Sequence, residues 1–135
     1  MFFKQLFSLS WSGGIIIYDE DYFISKNEYF TLDSFEFENG KVLNNVDVEY
    51  MTFGTPIYDD NGAIKNAIVY CHGSLGNYAS VKKLAPFLGK NDAFDENKYF
   101  FICISALGSP GSCSPSTTDL KNKFPKYSIN DVVNF

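Results

Sequence analysis

The sequence predicts an α/β fold in which an antiparallel hairpin leads into a parallel-sheet strand–helix–strand unit. Residues 35–51 alternate between apolar and polar side chains around an Asn39-Gly40 turn, which is typical of a hairpin with one buried face. Residues 67–71 and 99–104 are instead continuous apolar runs, which are typical of parallel strands covered on both faces. The change from alternating to continuous apolar segments therefore indicates a mixed sheet.

The hairpin is the first element of this sheet. Phe35 and Phe37 alternate with glutamates before the turn, and Val46, Val48 and Tyr50 continue the alternation after it, beyond a break at residues 44–45. Thr-Pro at residues 55–56 is expected to end the second strand, and Asp-Asp-Asn-Gly at residues 59–62 predicts a turn.

A short helix is expected between the two apolar runs. The segment 79–89, ASVKKLAPFLG, has apolar residues at helical spacing and a glycine at its end. Pro86 lies inside the segment, so we expect the helix to be short or kinked. Strand, helix and strand together predict a right-handed crossover unit.

The last third of the chain begins with a loop and ends with the start of a helix. Residues 105–118 are rich in serine, glycine and proline, which predicts a surface loop. Ser128 and Asp131 have the spacing of a capping box, so a helix is expected to begin there. The sequence stops seven residues after Ser128. Since such a short helix is marginal alone, and parallel strands need helices on both faces, we expect a truncated domain.

Composition excludes several classes of function. At 45% hydrophobic residues the chain is too apolar for disorder, and its net charge of −5 without a basic cluster argues against nucleic-acid binding. One histidine and three unpaired cysteines cannot form a structural zinc site, and reduced thiols favour a cytoplasmic protein. The leader, residues 1–29, has neither a cleavage site nor a membrane-spanning run, and its order is uncertain.

The segment His72-Gly73-Ser74-Leu75-Gly76 follows the first apolar run and is the candidate functional site. A strand that ends in His-Gly and small residues can point a backbone N–H at a developing oxyanion. We expect that donor to be the N–H of Ser74, while His72 and Gly73 shape the turn. His72 is not expected to act as a base, because the 135 residues contain no G-x-S-x-G nucleophile elbow. Cys71 and Cys113 as nucleophiles are a weaker alternative, since Cys71 ends an apolar strand and Cys113 has no histidine or basic neighbour in sequence that would lower its pKa.

Four stretches occur in an order that resembles a known family: FENGKVLNNVDVEYMTFGT, NAIVYCHGSLGN, NKYFFICISALGSPGSCSPSTT and FPKYSINDVVNF. From about residue 30 the chain resembles the N-terminal part of the homoserine O-acetyltransferase family of α/β-hydrolase-fold proteins. The resemblance implies that residues 30–135 are a partial α/β-hydrolase domain, truncated before the nucleophile elbow.

The resemblance also implies a function and its site. The family transfers an acetyl group from acetyl-CoA to a small hydroxyl acceptor through an acyl-serine, and needs no metal or bound cofactor for this. Matching positions are the oxyanion turn (His72, Gly73, Ser74 and Gly76) and the loop 107–116 near the active-site mouth. The triad itself has no match, so the chain is expected to be inactive alone. Where the transferases carry Ala-Leu-Thr, this chain has Gly73-Ser74-Leu75, so an esterase is an equal alternative.

A second hypothesis is a non-catalytic binding or interaction domain built from the front half of the fold. In the truncated domain the edge of strand 67–71 would be open, apolar and prone to self-association. A binding domain would instead need that edge covered by a dimer partner or by the leader. Packing of Trp11 and residues 15–17 on the open sheet would favour this hypothesis. Neither hypothesis involves a membrane or a nucleic acid.

Overall fold

The computed structural model describes residues 8–11, 14–17, 20–89 and 93–135, with side chains from residue 21 onward. Strands β1 (Ser8–Trp11) and β2 (Gly14–Ile17) pair antiparallel, and helix α1 (Glu20–Ile24) follows them. The expected packing of Trp11 and residues 15–17 concerns side chains outside the described part. Within that part, no helix is long and apolar enough to cross a membrane.

The predicted hairpin is present and longer than expected. Strand β3 (Glu28–Glu36) pairs antiparallel with β4 (Val42–Gly54). The break expected at residues 44–45 does not interrupt β4, because Asn45 adopts a left-handed φ of 54° while the pairing register continues on both sides of it. The strand ends at Gly54, directly before the Thr-Pro pair.

Strand β5 (Ala67–Cys71) and strand β6 (Phe100–Ile104) are parallel neighbours, as predicted. Strand β6 also pairs antiparallel with β4, so the four-stranded sheet has the order β3-β4-β6-β5. The expected short helix is a 3₁₀ helix (Tyr78–Phe87) that contains Pro86. Asn77 begins it as an N-cap, and its side chain accepts the N–H of Ala79 at 3.1 Å.

The continuous apolar run predicted cover on both faces of β5, and this prediction is wrong for the part of the chain that the structure describes. Ile68 and Tyr70 pack on the core beside the 3₁₀ helix, whereas Val69 is 55% exposed on the opposite face. An apolar residue pattern shows that both faces can be covered, but it does not show that the covering element lies in the same stretch of sequence. Strand β5 is an edge strand of this sheet.

The described residues form two separate hydrophobic clusters. The first joins β4, β6, the 3₁₀ helix and Phe23 of α1, and in it the rings of Phe53 and Phe101 stack at 4.5 Å. The second joins the hairpin to the C-terminal segment through the buried residues Phe35, Phe37, Val46, Leu107, Cys113 and Phe124. Because Phe23 is only 1% exposed, the segment before residue 30 contributes to the core of the domain.

The C-terminal helix α2 (Ile129–Asn134) begins with the predicted capping box and is attached to the hairpin turn. The Asp131 carboxylate accepts the N–H of Ser128 and the N–H of Glu38, both at 2.7 Å. These hydrogen bonds lower the pKa of Asp131 below its ordinary value of 3.8, with that from Ser128 as the largest cause. The Ser128 hydroxyl in turn donates to the Glu38 carboxylate. The capping box thus also fixes the start of α2 on the hairpin.

Candidate oxyanion turn

The predicted site residues form a tight turn at the carboxyl end of β5. The N–H of Gly76 donates to the carbonyl of Gly73 at 3.0 Å, which closes a four-residue turn. Leu75 has a φ of +63°, while Ser74 is not among the residues with positive φ. These signs are those of a type II turn with Ser74 and Leu75 at its two central positions.

The two central residues of the turn have unused backbone donors. The N–H groups of Ser74 and Leu75 donate to no acceptor among the described residues, and both residues are exposed. The next N–H groups along the chain are all used: Asn77 and Tyr78 donate to serine hydroxyls, and Ala79 to the Asn77 side chain. The donors of Ser74 and Leu75 lie at the tip of the turn, where an incoming carbonyl oxygen could accept from them.

His72 connects this turn to the loop after β6. Its Nδ1 lies 2.7 Å from the carbonyl of Gly73, so Nδ1 must carry the proton and donate. Nε2 then accepts the N–H of Ala106 at 3.0 Å and lies 3.2 Å from the Ser109 hydroxyl. A lone pair that already accepts a backbone N–H is poorly placed to take a proton from a substrate. The geometry therefore supports a structural part for His72.

A buried carboxylate, that of Glu49, stabilises the segment next to the turn through hydrogen bonds. Glu49 of β4 is only 5% exposed, and its carboxylate accepts hydrogen bonds from Ser105 at 2.8 Å, Asn27 at 3.2 Å and Tyr29 at 3.3 Å. The same Ser105 hydroxyl accepts the N–H of Tyr78 at 3.0 Å, in the first turn of the 3₁₀ helix. Glu49 thus fixes, through Ser105, the segment that directly follows the oxyanion turn.

The loop 107–116 packs on the same carboxylate. Gly111 has a φ of +99°, and a Cβ at this position would lie 2.0 Å from the Glu49 carboxylate, so only glycine fits. The Ser112 hydroxyl accepts the N–H of Glu49 at 2.8 Å and donates to the carbonyl of Ser105 at 2.6 Å. Ser112 is fully buried and Ser114 is 1% exposed. Both serines therefore support the loop and are not available as nucleophiles.

The two buried cysteines, Cys103 and Cys113, do not add a nucleophile to the site. Burial raises the pKa of Cys103 to about 12 and also raises that of Cys113, where Asp47 adds to the effect. A thiol with a raised pKa is protonated at neutral pH and unreactive. Cys71 is exposed at the end of β5. No group of three or more His, Cys, Asp or Glu side chains in the described ranges could hold a metal ion.

Sequence reasoning identified the turn but missed the residues that support it. Glu49 and Ser105 were not singled out, although Glu49 is a charged residue in a strand whose neighbours Val48 and Met51 are buried. A charged side chain in such a strand was a signal, because a buried carboxylate needs several hydrogen-bond donors around it. The alternation of residues 46–51 placed Glu49 on the solvent face, which was wrong because the loop after β6 covers that face.

The sequence is similar to those of known acyltransferases. No protein-family model matches the sequence. A probable acyltransferase of Methanothermobacter thermautotrophicus is 46% identical over 107 residues, which cover 79% of this chain and 33% of the relative. A homoserine O-acetyltransferase of Saccharomyces pastorianus is 37% identical over 103 residues, which cover 71% of this chain and 20% of the relative.

The fold has equally clear structural neighbours. An acetylester hydrolase from Corynebacterium glutamicum superimposes with a TM-score of 0.65 and 29% identity, over 80% of this chain and 30% of its own. The chain thus spans a third or less of the length of these relatives. Together the matches show that most of this chain is similar to a part of proteins named homoserine O-acetyltransferase or acyltransferase, and that its structure is part of an α/β-hydrolase fold.

Proposed function

We propose that this chain is the N-terminal segment of a serine acyltransferase or esterase and that it supplies one donor of the oxyanion hole. The observation that carries the proposal is the unused, exposed N–H of Ser74 in a turn fixed at both ends. In this mechanism a serine oxygen attacks the carbonyl carbon of the acyl donor, and the carbonyl oxygen becomes negatively charged. The N–H of Ser74 donates to that oxygen and stabilises the tetrahedral intermediate.

The remaining catalytic groups are assigned to residues beyond these 135, because the sequence has no G-x-S-x-G elbow. The intermediate collapses as the alcohol or thiol of the donor leaves with a proton, and an acyl-serine remains. A hydroxyl acceptor or water then attacks the acyl-serine and releases the product. His72 takes no part in proton transfer, because its Nε2 accepts the N–H of Ala106. The 135 residues alone are therefore expected to be inactive.

The substrates follow from the relatives named above. An acyl donor such as acetyl-CoA with a small hydroxyl acceptor would make the protein a transferase, and an ester with water would make it a hydrolase. Names of both kinds occur among the similar proteins. Free thiols at all three cysteines fit a cytoplasmic enzyme, and the proposal includes that location.

The first experiment locates the nucleophile. The coding DNA is read beyond the codon for Phe135, and the protein from its source cells is treated with a fluorophosphonate that labels activated serines. We expect one labelled serine in a G-x-S-x-G sequence after residue 135, and no label on residues 1–135 expressed alone. A protein from source cells that takes no label would overturn the catalytic proposal and leave the binding domain as the better hypothesis.

A substitution that removes one N–H tests the oxyanion donor itself. Proline is favoured at the first central position of a type II turn and has no N–H, so Ser74→Pro removes the donor without disturbing the turn. Loss of one such donor lowers kcat by about 10²–10³-fold. Ser74→Ala is the matched control, because it removes the hydroxyl and keeps the N–H. Equal activity of the proline and alanine variants would show that Ser74 is not an oxyanion donor.

A further inference from the structure

Leu75 is an unusual residue for its position in the turn. Its φ of +63° lies in the left-handed region that disfavours residues with a Cβ. The other residues of the described part with positive φ are glycines, Asn45 and Lys121. Leu75 is thus the one apolar side chain in the described ranges that is held in this conformation.

The side chain of Leu75 is not buried against any other part of the described chain. Leu75 is fully exposed, at 104% of the reference area, and more exposed than the next most exposed large apolar residue, Ile129 at 83%. A glycine would relieve the backbone and would remove apolar surface from water. Within the described chain, leucine at this position is therefore less favourable for stability than glycine on two counts.

The position of Leu75 indicates what its side chain can contact. It directly follows the residue whose N–H would bind the substrate carbonyl oxygen, and neighbouring Cα atoms are only about 3.8 Å apart. The atoms nearest to that carbonyl oxygen in any substrate are the acyl chain on one side and the leaving group on the other. An exposed, branched apolar side chain there is suited to contact with an acyl chain.

We infer that Leu75 is a specificity-determining residue that contacts the acyl group of the substrate and favours apolar acyl chains longer than acetyl. This inference rests on the proposed function, because it requires the substrate carbonyl to bind at Ser74. The substrate class is an ester or thioester of a medium-length aliphatic acid. Contact with a few methylene groups in an apolar site changes selectivity by about 10–200-fold.

The test compares two esters on the complete serine-labelled protein. The ratio of kcat/KM for p-nitrophenyl hexanoate to that for p-nitrophenyl acetate is measured for the wild type and for Leu75→Ala. We expect the ratio to fall by about tenfold or more in the alanine variant, and to be restored in Leu75→Met, which replaces the lost apolar volume. The distant variant Ile129→Ala, which removes another exposed apolar side chain, should leave the ratio unchanged.

Leu75→Gly separates specificity from folding. It removes the side chain and relieves the backbone, so we expect the same fall in the ratio together with an unfolding midpoint that is higher by a few degrees. An unchanged ratio in a folded, active Leu75→Ala variant, or an equal loss on both esters, would overturn the inference for Leu75 alone. A wild type that takes no fluorophosphonate label and hydrolyses neither ester would instead overturn the proposed function, and this inference with it.

Discussion

Two tight turns of this chain differ in how their backbone donors are used. In the hairpin turn, residues 37–41, four of the five N–H groups reach acceptors, one of them the Asp131 carboxylate, and only that of Asn39 reaches none in the described chain. In the oxyanion turn, residues 73–76, the N–H groups of Ser74 and Leu75 reach none in the described chain. Most donors of the first turn are thus used by the protein itself, whereas the two central donors of the second turn remain available to a ligand. The contrast separates a turn that serves the fold from one that is suited to binding.

The largest effect on the free energy of unfolding is expected for Glu49, the buried carboxylate next to the oxyanion turn. Replacement by alanine leaves the Ser105 hydroxyl and its neighbours without their acceptor and opens a cavity beside Gly111. Loss of a buried hydrogen-bonded group of this kind costs about 3 kcal/mol of unfolding free energy. Denaturant unfolding of the wild type and the Glu49→Ala variant measures this loss of unfolding free energy. Glu36→Ala is the control, since that glutamate is exposed on β3 and should change stability by less than about 0.5 kcal/mol. Equal losses would show that the carboxylate does not support the turn.

His72→Ala is expected to have the next largest effect. The N–H of Ala106 loses its acceptor, and the link between the turn and the loop after β6 is broken. An unsatisfied, partly buried donor costs about 1–2 kcal/mol. Hydrogen exchange at the Ala106 amide should accelerate more than exchange in β3, which His72 does not contact. Unchanged protection of this amide would contradict the hydrogen bond to Nε2.

The two turns can be compared directly through one serine each. Ser128→Ala removes the helix cap beside the hairpin turn and should lower the free energy of unfolding by about 1 kcal/mol. Ser74→Ala removes a hydroxyl that makes no hydrogen bond in the described chain, so its effect should stay below about 0.5 kcal/mol. Thermal or denaturant unfolding of the two variants measures the difference. A larger loss at Ser74 would mean that the oxyanion turn is not open.

The smallest effect is expected at Asp131, whose contribution to the free energy of unfolding is present at neutral pH and lost at acidic pH. The pKa of Asp131 is lowered in the folded protein, so its carboxylate stabilises the fold above the ordinary value of 3.8. That stabilisation is lost as the pH falls from about this value through the lower folded pKa. Wild type and Asp131→Asn should therefore differ in unfolding midpoint at pH 7 and converge at strongly acidic pH. A difference that is independent of pH would show that the charge of Asp131 plays no part.

Much of this architecture could be predicted from local patterns. The turn at residues 39–40, the capping box and the strands predicted at 67–71 and 99–104 each depend on residues close in sequence, and all are present, the last of them from residue 100. Pro86 correctly indicated an irregular helix. These features share one physical basis, which is that φ restrictions, side-chain caps and apolar runs act over a few residues.

What could not be predicted depends on residues far apart in sequence. The burial of Glu49 results from a loop some 56 to 63 residues later, whose Ser105 and Ser112 bind it. The exposure of Val69 depends on an element that would cover that face, and no pattern within β5 reports on it. The attachment of Asp131 to Glu38 spans 93 residues. Burial is a tertiary property, and alternation along one strand therefore gives only part of it.

Strand β4 takes part in both hydrophobic clusters, with Val46 in one and with Met51 and Phe53 in the other. A strand shared in this way makes the two halves of the domain thermodynamically dependent on each other. If either cluster unfolds, the other loses the packing contacts that β4 provides. The described core is therefore expected to unfold in one cooperative transition. The slowest-exchanging amides of the whole domain should then be found in the middle of β4.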